Sequence, residues 1–369
     1  MTPRKILVIN LMHIGDLMLA TPVFPVLRRA YPNARLYLLA DKKLRALVEH
    51  NPNLDAFLFL DKKGADNHPW PFLRFLWKVR REKFDLVINL HRNERASALA
   101  AFSGGREIVG YAKPFFASFF HKVVPNRNPY KHQAEAYFDV LREGLGLWQE
   151  KAGALELYLS EQDKAGAEKL WQEIGADGRH VIALNIGASW QTKRWLDDYF
   201  ADVADHFIDE GYGVVFLGGT MDIPLVEACR QKMHMRNRGR AMVLTGKANL
   251  GELAAILRKC QLLITTDSGP MHVAVAMGTP ILTMFGASPV LGFSPWDAKD
   301  VLIESPVLCH PCRIHQCPRP QDSQMLCMKA ITPRMVIAEA EKLLARYEGQ
   351  EGEWPQAKNF QARILQVSI

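Results

Sequence analysis

The sequence predicts an α/β protein built from two doubly wound halves. Short β-branched runs alternate with stretches of helical periodicity, the pattern of βαβ units. That alternation stops at a polar connection near residues 146–160 and then restarts. The chain of 369 residues also exceeds what one hydrophobic core ordinarily supports. Rossmann-like domains are therefore expected at residues 1–155 and 156–348, with residues 349–369 as a polar tail.

The run Ile6-Leu7-Val8-Ile9-Asn10-Leu11 is too short for a helix and reads as a strand buried on both faces. Similar runs follow at 36–40, 57–60, 84–90 and 108–111, separated by helical stretches such as 17–31 and 73–81. A helix over 134–145 closes the first half. Strands at 181–186, 214–217, 242–244, 262–265 and 281–285 carry the second half, with helices at 196–210, 223–232, 250–259 and 271–277 between them. Ligands of open parallel sheets bind beyond the carboxyl ends of the strands, so two such domains in tandem predict a central cleft.

Composition narrows the class. Hydrophobic residues make up 48% and charged residues 23%, the balance of a soluble globular protein. Pro22, Pro25, Asp267 and Pro280 break the apolar stretches before they reach the roughly 20 residues that cross a bilayer. The start, Met1-Thr2-Pro3-Arg4-Lys5, runs straight into the first strand without the features of a secretory signal, which predicts a cytoplasmic protein. Charge is uneven: residues 1–150 hold 23 Lys and Arg against 14 Asp and Glu, and the remainder 23 against 25. Such a basic front half suits nucleic acid, an anionic membrane or an acidic substrate, and equally a plain solvated face. Nucleic acid is disfavoured, because no basic face interleaved with stacking aromatics occurs.

Motifs of several other chemistries are absent. The loop Met12-His13-Ile14-Gly15-Asp16 has one glycine where a dinucleotide fingerprint needs three, and Gly246-Lys247 lacks the rest of a P-loop. Neither a His-Glu-x-x-His helix nor a Gly-x-Ser-x-Gly elbow is present. Three passages remain. Asp16 lies where the first strand gives way to its helix, as a helix N-cap or as a base for an attacking hydroxyl. Thr265-Thr266-Asp267-Ser268-Gly269-Pro270-Met271-His272 leads from a strand into a helix whose N-terminus can seat phosphate; capping residues and a packed histidine are the alternative. The loop from Gly187 through Ser189 to Lys193 and Arg194 offers hydroxyl, amide and cation to a diphosphate, or is an ordinary basic loop.

Taken in order, His13-Ile14-Gly15-Asp16 with Thr21-Pro22, the loop from Gly187 to Trp195, and Asp267-Ser268-Gly269-Pro270-Met271-His272 resemble glycosyltransferase family 9, the ADP-heptose:lipopolysaccharide heptosyltransferases. Gly278-Thr279-Pro280 with Phe285-Gly286, and Leu326-Cys327-Met328-Lys329 with Thr332-Pro333, extend the resemblance over most of the chain. It implies a GT-B fold and an inverting transfer of heptose from ADP-L-glycero-β-D-manno-heptose to the lipopolysaccharide inner core, with no cofactor required for the chemistry. Asp16 falls at the position of the catalytic base. Ser189, Lys193, Asp267, Ser268, Gly269 and His272 fall at donor positions, and Asp222 where an acid faces the nucleoside. Ala188 departs from the pattern, standing where a hydroxyl residue is common.

An acidic, lipid-linked acceptor would match the basic front half. Arg92, Arg95 and Arg106 are the acceptor candidates, with Lys131 and His132 behind them. Phe72, Phe75, Leu76 and Trp77 beside Lys78, Arg80 and Arg81 would either contact the inner membrane surface peripherally or form an amphipathic helix packed on the sheet. Of six cysteines, Cys229 and Cys260 read as buried and inert. Cys309, Cys312, Cys317 and Cys327, with His310 and His315 among them, leave a structural metal, reduced thiols and disulfides open. Two other functions fit a two-domain fold: a nucleotide-sugar epimerase or hydrolase, and a non-catalytic binding protein, which would normally carry an export signal.

Overall fold

The computed structural model describes residues 2–127, 130–296, 300–305, 307–347 and 363–366. The chain divides into two compact units, Met1–Tyr158 and Leu159–Ile369.

The first unit holds six parallel strands: β1 (Lys5–Asn10), β2 (Arg35–Asp41), β3 (Ala56–Leu60), β4 (Leu86–Asn89), β5 (Glu107–Gly110) and β6 (Lys122–Val123). Their order is β3-β2-β1-β4-β5-β6. Central β1 pairs on both sides, Ile6 facing Leu36 and Leu86, and its Ile6-Leu7-Val8-Ile9 run is fully buried. The chain winds outward from β1 to β3, then crosses to β4. The topological switch point, where such sheets open a ligand crevice, therefore lies between the carboxyl ends of β1 and β4.

The second unit repeats the plan with seven parallel strands: β7 (Val181–Asn185), β8 (Gly213–Leu217), β9 (Met242–Val243), β10 (Leu262–Thr266), β11 (Ile281–Phe285), β12 (Val301–Glu304) and β13 (Arg363–Gln366). The order β13-β12-β11-β10-β7-β8-β9 puts its switch point between β7 and β10. Both strands are fully buried, and helix Asp197–Asp209 covers them through Phe200, Val203 and Phe207.

Differences from the expected elements have local causes. The stretch 17–31 is two helices, Ile14–Ala20 and Val23–Ala30. Pro22 lacks an N–H, and buried Thr21 turns its hydroxyl onto Met18 O at 2.7 Å while accepting from Glu156 N at 2.9 Å. Helix Glu94–Phe102 escapes periodicity because its inner face is alanine and serine rather than large apolar residues. Strand β13 lies in the segment expected as tail. It pairs with β12, whose outer N–H and C=O groups would otherwise lack a ladder. Among the described residues, no helix is long and apolar enough to cross a membrane.

Candidate active site

In the first unit, Asn10 ends β1 fully buried and receives Met12 N on its Oδ1 at 3.1 Å, tightening the turn into helix Ile14–Ala20. His13 takes the N-cap position, so Asp16 is the third helical residue and not the cap. A carboxylate there lies in the positive end of the helix. Beneath it, Tyr137 is buried and hydrogen-bonded to Asn10 and Gln133. Burial, and next the charge of Asp16, push its phenol well above the ordinary range, so it remains protonated.

Two residues not singled out in the sequence share this switch point. Lys62, just past β3, donates to Leu11 O and Met12 O at 2.9 and 3.1 Å and pairs with Asp41 at 3.0 Å. His91, just past β4, is 8% exposed; burial, then Lys62 and His13, push its imidazole down to about 3, keeping it neutral. Their signal was position alone: each polar side chain follows the carboxyl end of a strand near the switch point.

The acceptor candidates separate. Arg92 is exposed on the loop after β4, beside His91. Arg95 is occupied within the unit, donating to Lys62 O at 2.9 Å and Asn67 Oδ1 at 3.0 Å. His132 caps helix Gln133–Asp139, its Nδ1 accepting from Ala134 N at 3.2 Å. Lys131 pairs with Asp139 at 2.6 Å. Arg106 does not follow a strand; it precedes β5 and pairs with Asp85 at 3.3 Å, on the sheet edge opposite Asp16. Parallel strands place every strand start on that far edge, which removes Arg106 from the switch point.

In the second unit the loops after β7 and β10 meet at the switch point. Asn185, 1% exposed, donates through Nδ2 to Gly187 O, Thr265 Oγ1 and Ser268 Oγ, each at 3.1 Å. Ser268 and Thr265 hydroxyls also lie 3.0 Å apart. Ser268 thus occupies the N-cap position of helix Gly269–Met277 without capping it. The helix end keeps its N–H groups without a side-chain cap, and Pro270 in the first turn has no N–H to satisfy. His272 is buried in the second turn.

Lys193 reaches this helix end from the β7 loop. Its Nζ lies 2.6 Å from Asp267 and 4.6 Å from the Trp190 ring centre, and both charged side chains are mostly buried. Ser189 is exposed on the same loop. Asp222 receives Gly219 N at 2.8 Å in the turn Thr220–Asp222. A Cβ on Gly187 would fall 2.3 Å from that carboxylate, so any side chain there would push Asp222 out of its present place. Uncapped amides, a buried lysine and a small-residue loop are groups able to hold a phosphate or another anion.

The cysteine segment braces the loop. Thr192 donates to Ile314 O, Thr192 N to His315 O at 3.4 Å, and the His315 and Trp190 rings stack at 4.1 Å. All six cysteines are free thiols. Burial, with Cys309, Cys312 and Cys317 nearby, pushes the Cys327 thiol up to about 11. Among the described residues no group of three or more His, Cys, Asp or Glu is placed to hold a metal ion. Cys229 and Cys260 are fully buried, which pushes both thiols up to about 12.

Two doubly wound parallel sheets in tandem are the architecture of the GT-B fold. Residues 72–322 match the model of glycosyltransferase family 9 (heptosyltransferase), and the chain belongs to that family. It is 27% identical to lipopolysaccharide heptosyltransferase 3 of Escherichia coli K12 over 296 residues, 76% of this chain and 82% of that one. It is also 27% identical to lipooligosaccharide heptosyltransferase 2 of Campylobacter jejuni over 334 residues, covering 89% and 96%. Among solved structures, the family 9 glycosyl transferase of Veillonella parvula superposes with a TM-score of 0.83 at 34% identity, over 93% of this chain and 98% of that one. The E. coli ADP-heptose lps heptosyltransferase II shares the fold, with a TM-score of 0.76 at 21% identity over 94% and 100%.

Proposed function

We propose that this chain is an inverting heptosyltransferase that moves heptose from ADP-L-glycero-β-D-manno-heptose to the inner core of lipopolysaccharide in the cytoplasm. The observation that carries the reading is the uncapped end of helix Gly269–Met277 beside Lys193. Relatives named as lipopolysaccharide and lipooligosaccharide heptosyltransferases support the sugar and the acceptor class.

On this reading the second unit holds the donor. Gly269 and Met271 amides and Lys193 face the diphosphate, Ser189 adds a hydroxyl, and Asp267 keeps the lysine in place. Negative charge grows on the departing ADP as the glycosidic bond breaks, and these groups stabilise it without a metal ion. His272 lines the sugar side and Asp222 the nucleoside side. The first unit presents the acceptor, whose hydroxyl attacks the anomeric carbon from the face opposite the diphosphate while Asp16 takes its proton. Arg92 and neutral His91 would contact the acidic acceptor sugars, with Lys62 holding the loop after β1 in place.

The test is a transfer assay with ADP-heptose and a panel of truncated core acceptors. The reading predicts heptosyl product that requires an acceptor. Release of free ADP or an isomerised donor without any acceptor would instead mark a hydrolase or epimerase.

A further inference from the structure

Residues 310–315 lie in no helix or strand, yet they tie together loops at the carboxyl ends of three strands of the second sheet. His310, its side chain 5% exposed, spans Gly286 O after β11 and Glu304 Oε1 at the end of β12, the latter at 2.8 Å. Arg313 N donates to Ala287 O at 2.9 Å. The next two residues meet the loop after β7. There Ile314 O accepts the Thr192 hydroxyl, His315 O accepts Thr192 N at 3.4 Å, and the His315 ring stacks on Trp190 at 4.1 Å with the planes 25° apart.

The β7 loop has little else to fix its shape. Gln191–Lys193 is a single helical turn with no side-chain cap, too short to be stable alone. Thr192, in the middle of it, is 2% exposed, and both its hydroxyl and its N–H go to the crossing segment rather than to the turn. Lys193 follows directly. Its Nζ lies 2.6 Å from Asp267 and 4.6 Å from the centre of the Trp190 ring, so the ring on which His315 stacks also holds the ammonium. Lysine is a point charge on a flexible four-carbon stem, and its place is set by what surrounds it.

We infer that His315 and Thr192 are positioning residues for donor binding: through Trp190 and the Gln191–Lys193 turn they keep Lys193 aimed at the open end of helix Gly269–Met277. On this inference neither touches the diphosphate itself. Fixing the cation before the ligand arrives lowers the ordering cost of binding, so the crossing segment raises the affinity without contributing a contact. The inference rests on the proposed reading of Lys193 as a donor contact, and it joins that site to a residue 122 positions further along the chain from Thr192.

The test is calorimetric titration of the full chain with ADP. His315 is exposed, so His315→Ala leaves the core untouched. We expect it to weaken ADP binding about fivefold with an unchanged melting temperature, and His315→Phe, which keeps a flat ring against Trp190, to restore binding to within about twofold of wild type. Thr192→Val should weaken ADP binding likewise, and Thr192→Ser, which keeps the hydroxyl, should restore it. In a Lys193→Met background His315→Ala should change nothing further, because the lysine it positions is gone. Wild-type affinity in His315→Ala, no rescue by His315→Phe, or a full additional loss in the Lys193→Met background would each overturn the inference; the last is what a brace acting independently of the lysine would give. A wild-type chain that does not bind ADP would sink the donor reading along with it, whereas ADP bound equally by wild type and His315→Ala sinks the inference alone.

Discussion

Asn185 donates to the Ser268 hydroxyl at 3.1 Å and so turns a natural helix-capping residue away from the helix it precedes. One buried amide at the end of β7 thereby keeps the amides of the neighbouring helix open. Substituting it should hand the serine back to the helix. With Asn185→Ala we expect ADP affinity to fall about fivefold, the worth of one helix cap, as measured by calorimetry. Unchanged affinity would show that the serine does not compete with phosphate.

Lys193 and Asp267 form a mostly buried pair at 2.6 Å. Removing the cation leaves the carboxylate without it in a dry site and removes a charge from the diphosphate. Lys193→Met should weaken ADP binding about tenfold or more and lower the melting temperature. Asp267→Asn should keep most of the affinity but loosen the lysine. Equal ADP affinity in Lys193→Met and wild type would remove the lysine from the donor seat.

Two buried groups give opposite pH signatures. His91 is pushed down to about 3, so between its ordinary value and 3 the unfolded chain binds a proton that the folded chain does not. Stability from this group is complete above the ordinary range and is lost as pH falls through that window. His91→Gln should therefore lose less melting temperature than wild type on acidification from pH 7 to pH 4. A parallel decline in both would contradict this.

Asp300 behaves in the other sense. Fully enclosed and accepting Ile281 N at 2.8 Å, it is held well above the ordinary carboxyl range by burial. The folded chain keeps a proton that the unfolded chain releases, so the group costs more stability as pH rises above that range. Asp300→Asn, which preserves the acceptor oxygen, should gain more melting temperature over wild type at pH 8 than at pH 5. A constant difference would contradict the assignment.

The sheets were legible because buried parallel strands are nearly continuous apolar runs, and ten of the strands lie where such runs stand. Strands β6, β12 and β13 were missed: β6 is an exposed Lys122-Val123 pair with no apolar run, β13 lies beyond a polar stretch, and the Val301-Leu302-Ile303 run of β12 went unread. The helix Glu161–Glu173 was missed, although Ser160 and Asp163 form a capping box at its start. At the site, Asp16, Lys193 and Ser268 each follow a strand end, and that position in the sequence is enough to put them on the switch-point loops. Lys62, His91 and Asn185 carry no motif; their placement comes from strand order, which sets β3, β2, β1 and β4 in one row and β7 beside β10. Arg106 failed for the same reason in reverse, since its strand begins where it stands.

The most direct measurement is single-turnover transfer by Asp16→Ala beside wild type, with ADP affinity measured on the same preparations. Asp16 belongs to the first unit and the phosphate seat to the second, so the account predicts ADP affinity within about twofold of wild type and transfer reduced by about a hundredfold or more. Transfer at a near-normal rate by the variant would contradict the account.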